Sequence, residues 1–302
     1  MSKVLLIAVN AKYIHSNPAV YSLGAYAREA LEQLPGVEIE IAEYTINQNT
    51  ETILADIYRR KPQVAAFSCY IWNWKLIREI LTELPKILPD TEIWLGGPEV
   101  TYDGPGLLRE FPQVTGIMVG EGEVTFREVL DQYVREAEST GQSEQQPEPD
   151  SIEQQAADRT GTVAGKSVAE RFGQIPGLCL VSGYTAPREL TDLTTLPFLY
   201  EDMEPFTNRI IYYETSRGCP YRCSYCLSSI DKKVRLRDID VVKRELQFFL
   251  DQNVKQVKFI DRTFNCDHKH AMEIWRYIYE HDNGVTNFHF EISADILREE
   301  EI

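Results

Sequence analysis

Three of the six cysteines fall within eight residues, in the stretch ETSRGCPYRCSYCLSS from Glu214 to Ser229. They are Cys219, Cys223 and Cys226, spaced C-x3-C-x2-C. Thiolates are soft ligands, suited to zinc, copper(I) or iron–sulfur clusters. A structural zinc normally closes its shell with four ligands in paired spacing. A ferredoxin cluster likewise uses four cysteines, in other patterns. Here the next cysteine, Cys266, lies forty residues further on. Three thiolates and an open corner describe a metal centre that also takes a substrate or cofactor.

A second group of residues is notable for backbone freedom. Gly96 and Gly97 lie in GGPEVT (96–101), and Gly120 and Gly122 in GEGEVTF (120–126). Each pair follows an apolar run, where a missing Cβ lets the backbone approach a bulky ligand; the plainer role is a tight turn. The first apolar run is followed by NAKYIHSNPAVYSLG, which has no G-x-G-x-x-G fingerprint, so a dinucleotide site is not indicated. The histidines form no metal spacing. CDHKH (266–270) reads as a helix start, with Asp267 as cap and the histidines facing solvent.

These residues need elements to hold them. Over 1–135, strand-like runs at 3–9, 37–44, 63–70, 92–97 and 116–120 alternate with helical patterns at 18–34, 50–60, 73–88, 104–111 and 123–137. Apolar strands separated by helices predict a parallel sheet covered on both faces. Ligands of such a sheet bind beyond the carboxyl ends of its strands, where both glycine pairs fall. Residues 136–174 turn rich in Glu, Gln, Ser and Gly and read as a disordered or mobile insertion. A hairpin with Gly183 in its turn and a Pro-punctuated connector are expected over 175–208. From 209 a second alternation begins: strands at 209–215, 255–261 and 287–293, helices at 239–252 and 267–282, and a helix opening at ADILREEEI. The cysteine loop follows the first of these strands directly. Three βα units are too few to close a barrel, so 209–302 is expected to be part of a longer domain.

At 302 residues, 43% hydrophobic and 26% charged, the chain has the composition of a globular protein of two domains. It has no apolar run of about 18 residues and no signal peptide, so a reducing, cytoplasmic setting is expected and disulfides are not. A formal charge of −16 disfavours general nucleic-acid binding. The basic run DKKVRLR (231–237) reads as a solvated loop.

The cysteine loop, placed after the first strand of a βα series, resembles the signature of radical S-adenosylmethionine (SAM) enzymes. Tyr225, the aromatic residue before the last cysteine, agrees with it. The resemblance implies that Cys219, Cys223 and Cys226 hold three irons of a 4Fe-4S cluster. Its fourth iron would chelate SAM, which one-electron reduction cleaves to methionine and a deoxyadenosyl radical. It further implies cofactor contacts from Tyr225, from Asp261 and Asn265 in FIDRTFN (259–265), and from Glu291 and Ser293 in FHFEIS (288–293). Arg217 and Arg222 flank the cysteines and are candidates for holding the loop or tuning the cluster.

The first half is similar to the cobalamin-binding domain of cobalamin-dependent radical SAM proteins. The likeness rests on Gly96, Gly97 and Pro98, on Gly120, Glu121, Gly122 and Glu123, and on Ser68 after the third strand. It implies that cobalamin lies against this carboxyl edge. One departure is His15, which lacks the Asp two before and the Gly three after that mark a cobalt-ligating histidine. It is read as a polar loop residue, and the lower cobalt ligand is unassigned.

The fold class expected is therefore α/β: a doubly wound, Rossmann-like five-stranded parallel sheet, then an incomplete radical SAM (β/α) partial barrel. The function expected is radical chemistry for methyl transfer to, or rearrangement of, an unactivated carbon in an unknown small molecule. The electron would come from a partner such as flavodoxin or ferredoxin. Two alternatives stay open: a non-catalytic cobalamin and iron–sulfur sensor, and a radical SAM enzyme that uses no cobalamin.

Overall fold

A computed structural model of the chain describes residues 2–31, 36–141, 166–231 and 233–299. The chain divides into two compact units, one of Met1–Tyr13 with Asn17–Thr191, the other of Ile14–Ser16 with Asp192–Ile302.

The first unit is built on strands β1 (Ser2–Asn10), β2 (Val37–Thr45), β3 (Val64–Ser68), β4 (Glu92–Gly96) and β5 (Val114–Met118). They pair in parallel in the order β2-β1-β3-β4-β5, with Leu6 opposite both Ile41 and Ala66. Along β1 the apolar residues serve both faces in alternation. Leu5, Ile7 and Val9 enter one core, with residues of helices α2 (Thr50–Arg60) and α3 (Trp74–Ile87). Val4, Leu6 and Ala8 enter the other, with α1 (Pro18–Leu31) and α5 (Glu123–Gly141). This two-sided burial is why the strands read as near-continuous apolar runs. A short helix, α4 (Gly104–Glu110), lies between β4 and β5.

The sheet does not stop at five strands. The hairpin β6 (Leu178–Leu180) and β7 (Gly183–Tyr184) adds antiparallel to β5, with Cys179 opposite Ile117, and completes a seven-stranded sheet. Gly183, with φ +118, closes the two-residue turn opposite Leu180 and opens the second strand. The segment before it is also part of this unit: α5 runs to Gly141, and α6 (Val168–Phe172) packs Phe172 into the core. Arg171 fastens α6, pairing with Glu92 at 2.8 Å and Glu136 at 2.9 Å. Of the insertion expected over 136–174, the flanks 136–141 and 166–174 belong to this unit, and 142–165 lie outside the described residues.

The second unit has a three-stranded parallel sheet in the order β12-β11-β8, from β8 (Ile211–Tyr213), β11 (Gln256–Phe259) and β12 (Asn287–His289). Helices α7 (Ile239–Asp251) and α8 (His268–Glu280) follow β8 and β11. Aromatic rings fill its core, Phe249 and Phe259 each meeting Tyr213 edge-on at 5.3 and 5.4 Å. An antiparallel pair, β9 (Ser216–Arg217) and β10 (Arg235–Leu236), brackets the cysteine loop. ADILREEEI begins with a single 3-10 turn, Ala294–Ile296, in place of the expected helix, and Leu297 is extended. Among the described residues no helix is long and apolar enough to cross a membrane.

Candidate functional site

The cysteine loop follows β8 and the short strand β9. Gly218, before Cys219, has φ +97, and a Cβ there would sit 2.4 Å from the Lys233 carbonyl oxygen. Only glycine allows this approach, which lets the Cys219 amide donate to the Asp231 carbonyl at 3.1 Å. The Cys226 amide donates to the Cys223 carbonyl at 3.1 Å, and Ser229 Oγ to the Cys226 carbonyl at 2.7 Å. All three cysteines are free thiols; Cys219 is buried, at 8% exposure, and Cys223 and Cys226 are half-buried. Among the described residues no three His, Cys, Asp or Glu side chains close on a single ion. A cluster takes one thiolate per iron, so its ligands need no common focus. The donor set, three soft thiols on one loop, fits an iron–sulfur cluster.

The base of the loop is held from two sides. Asp261, 1% exposed, accepts hydrogen bonds from Thr215 N at 3.1 Å, Thr215 Oγ1 at 2.6 Å and Ser216 Oγ at 2.6 Å. Burial pushes its carboxyl up, although the bonds from Ser216 and Thr215 pull it down. On the other side the Arg237 amide donates to the Thr215 carbonyl at 2.8 Å. The Arg237 guanidinium forks onto Glu245 with two 2.7 Å bonds, and Tyr213 OH donates to the same carboxylate. Arg235 pairs with Asp231 at 2.8 Å, so the two arginines of the run expected to be a solvated loop are instead paired and largely buried. Thr263 is buried beside the loop, its Oγ1 3.5 Å from Cys219 Sγ.

The other residues picked out from the sequence take different places. Asp261 is a strut under the loop, because a buried carboxylate must be satisfied by nearby donors. Asn265, fully buried, clamps the Ser293 backbone: Nδ2 donates to the carbonyl and Oδ1 accepts from the amide, both at 2.9 Å. Ser293 Oγ donates to Asp295 at 2.7 Å and lies 3.2 Å from Tyr221 OH, a residue of the cysteine loop. Glu291 is exposed, pairs with Lys258 at 3.2 Å and accepts the Phe264 amide through its carbonyl. Tyr225 is 91% exposed. Arg217 bonds Glu214 at 2.8 Å, and Arg222 is exposed. Asp267 caps α8 through the His270 amide, as expected, but His270 itself is buried, with Nε2 lacking a hydrogen-bond partner. Burial lowers its pKa and keeps the ring neutral. His15 bonds through Nδ1 to Tyr212 OH, in line with a polar loop residue.

In the first unit, the carboxyl ends of β1 and β3 are pinned by Asn73, which the sequence showed only as a helix start. It is fully buried, donates to the Val9 and Ser68 carbonyls at 3.0 and 2.9 Å, and accepts from Tyr70 N at 2.8 Å. Ser68 Oγ accepts from Asn17 Nδ2 at 3.2 Å. Among the described residues, Asn17 Oδ1 is a buried acceptor with no partner. Gly97 has φ +108, and a Cβ there would meet the Cys69 carbonyl at 2.5 Å; Pro98 follows, half-buried. Gly96 has ordinary contacts, and a Cβ on Gly122 would meet Leu23 at 2.9 Å. Gly120 is exposed, with open space above it. The two glutamates turn inward: Glu121 accepts from Thr191 N at 2.7 Å and Glu123 from Ser22 Oγ at 2.9 Å. Tyr70 and Trp72 stack at 4.4 Å on this edge, beside exposed Ile71. An apolar stack, an unpartnered acceptor and an open glycine at the ends of parallel strands fit a large planar cofactor with an amide-bearing periphery.

Residues 4–130 match the family model of the B12 binding domain, and residues 213–302 match that of the Radical SAM superfamily. The chain belongs to the cobalamin-binding radical SAM proteins. This B12-binding radical SAM chain is 30% identical over 217 residues to the cobalamin-dependent radical SAM methyltransferase TokK of Streptomyces tokunonensis, covering 68% of itself and 28% of TokK. It is 28% identical over 214 residues to 2-(S-pantetheinyl)-carbapenam-3-carboxylate methyltransferase of Streptantibioticus cattleyicolor, covering 67% of itself and 28% of that enzyme. The chain therefore spans just over a quarter of the length of these relatives. In fold it is similar to the cobalamin-dependent SAM radical enzyme OxsB with aqua-cobalamin and SAM bound. The TM-score is 0.70 at 18% identity, over 100% of this chain and 40% of OxsB.

Proposed function

We propose that this chain carries the cofactor-binding parts of a cobalamin-dependent radical SAM enzyme that modifies an unactivated carbon of a small molecule, most simply by methyl transfer. The observation that carries this reading is the set of three free thiols on one loop beyond a parallel strand, braced beneath by buried Asp261 and Arg237. Cys219, Cys223 and Cys226 would hold a 4Fe-4S cluster, and the carboxyl edge around Ser68, Gly97 and Gly120 would hold cobalamin. When bound, the cluster would supply the electron for reductive cleavage of SAM, and cobalamin would supply the methyl group.

The protein's own residues orient and shield. Asp261 and Arg237 fix the start of the loop, and Asn265 fixes Ser293 and with it the segment facing Tyr221. Anchoring both ends of the loop in this way preorganises its ligands. The electron donor is a small reducing protein of the flavodoxin or ferredoxin type.

The test is anaerobic incubation of the reconstituted chain with SAM and dithionite, with chromatographic detection of 5′-deoxyadenosine. The proposal expects deoxyadenosine and methionine in equal amounts, and loss of both in Cys219→Ala. Formation of neither from a chain that holds a full complement of iron and sulfide would overturn it.

A further inference from the structure

We infer that Thr263 tunes the reduction potential of the cluster by donating a hydrogen bond from its hydroxyl to Cys219 Sγ. This rests on the three-cysteine reading above. It assigns a role to a residue that the spacing of the cysteines does not reveal.

Thr263 Oγ1 lies 3.5 Å from Cys219 Sγ, an ordinary separation for a hydroxyl and a sulfur. With a free thiol either atom can donate. A thiolate bound to iron carries no proton, so the hydroxyl is then the only donor of the pair. Both residues are buried, Thr263 at 6% and Cys219 at 8% exposure, so water does not compete strongly and the bond is stronger than at the surface. Cys223 and Cys226 are half-buried and open to solvent donors. Among the three thiols, Cys219 is therefore the one best shielded from solvent.

The hydroxyl is held in place. The Cys266 amide donates to the Thr263 carbonyl at 3.0 Å, and the Phe264 amide to the Glu291 carbonyl at 2.9 Å. Two residues earlier, Asp261 ties the same segment to Thr215 and Ser216 at the root of the cysteine loop. The distance between Thr263 and Cys219 is thus fixed by bonds on both strands.

Adding one electron to the cluster concentrates negative charge on its sulfurs, including the ligating thiolates. A donor aimed at one of them stabilises the reduced form more than the oxidised form and raises the potential. Removing the donor must make the cluster harder to reduce.

The experiment is a redox titration of the reconstituted chain, followed by electron paramagnetic resonance, for wild type, Thr263→Val, Thr263→Ala and Thr263→Ser. Valine keeps the shape and removes the hydroxyl, alanine removes both, and serine keeps the hydroxyl. The expected result is a lower midpoint in the Val and Ala variants and a near-wild-type midpoint in Ser. The ratio of reduced to oxidised cluster at a fixed potential near the midpoint should fall about three- to tenfold, and tenfold corresponds to 59 mV for one electron. Val and Ala variants that titrate with wild type, or a Ser variant that shifts with them, would overturn the inference while leaving the cluster assignment intact. A wild-type chain that shows no reducible cluster at all would instead overturn the reading on which it rests.

Discussion

Cys219 differs from its two loop partners in being buried against a polar scaffold that reaches it from distant parts of the chain. The cysteines themselves were legible, because their spacing is local and complete within eight residues. Their supports were not. Asp261 meets Thr215 across 46 residues, and that pairing exists only once β8 and β11 lie side by side. The sequence pointed to Asp261 as a cofactor contact, and the structure makes it a buried acceptor of three hydrogen bonds. Asp261→Ala should therefore cost on the order of 3 kcal/mol, leaving buried donors unpaired, whereas Asp261→Asn, which keeps one acceptor, should cost about 1 kcal/mol. Urea melts of the two variants check this; equal, small losses would show that the carboxylate braces nothing.

The elements show the same division between local and distant signals. Alternating apolar runs and amphipathic helices predicted all five parallel strands, since each pattern is complete within its own segment. The sixth and seventh strands are three and two residues long, too short to announce a partner, and only their pairing to β5 shows that they extend the sheet. Helix α6 was hidden likewise in a polar segment, its place set by one buried Arg171 and one Phe172. At the ligand edge, Gly97→Ala should destabilise the first unit by about 1–3 kcal/mol, from the strained φ and the contact with Cys69. Thermal or urea denaturation measures it, and a neutral effect would mean the turn relaxes freely.

The outer strand pair also predicts an acid response. Bonds from Lys3, opposed by burial and aided by Arg60, hold the Glu40 carboxyl below its usual range. Burial alone would raise Asp56, but bonds from Tyr44 and Arg60 outweigh it and lower that carboxyl too. A depressed folded-state pKa stabilises above the unfolded value and is lost as pH falls through the folded one. Stability should therefore decline as pH drops from about 5 to about 3, and less steeply in Glu40→Gln. Parallel slopes for wild type and variant would contradict this.

For the molecule as a whole, the sequence patterns suggested two cofactor-binding regions, and the two family models match residues 4–130 and 213–302. The division into units was less legible. Three residues of the loop after β1, Ile14–Ser16, group with the second unit, joined to it by a parallel bridge between His15 and Ile210. No local pattern foretells a bridge across nearly two hundred residues. If each cofactor has its own set of residues, the losses should separate. Cys219→Ala should abolish the cluster and retain cobalamin, and Gly97→Ala should weaken cobalamin binding while the iron content stays at the wild-type level. Absorbance of the corrin and chemical iron assay, on the same samples, measure both.

The most direct measurement is electron paramagnetic resonance of the anaerobically reconstituted, dithionite-reduced chain, with and without SAM. Three thiolates around a cluster with one open iron predict a reduced-cluster signal that changes when SAM is added. Zinc in place of iron, or a cluster signal indifferent to SAM, would contradict the assignment of Cys219, Cys223 and Cys226.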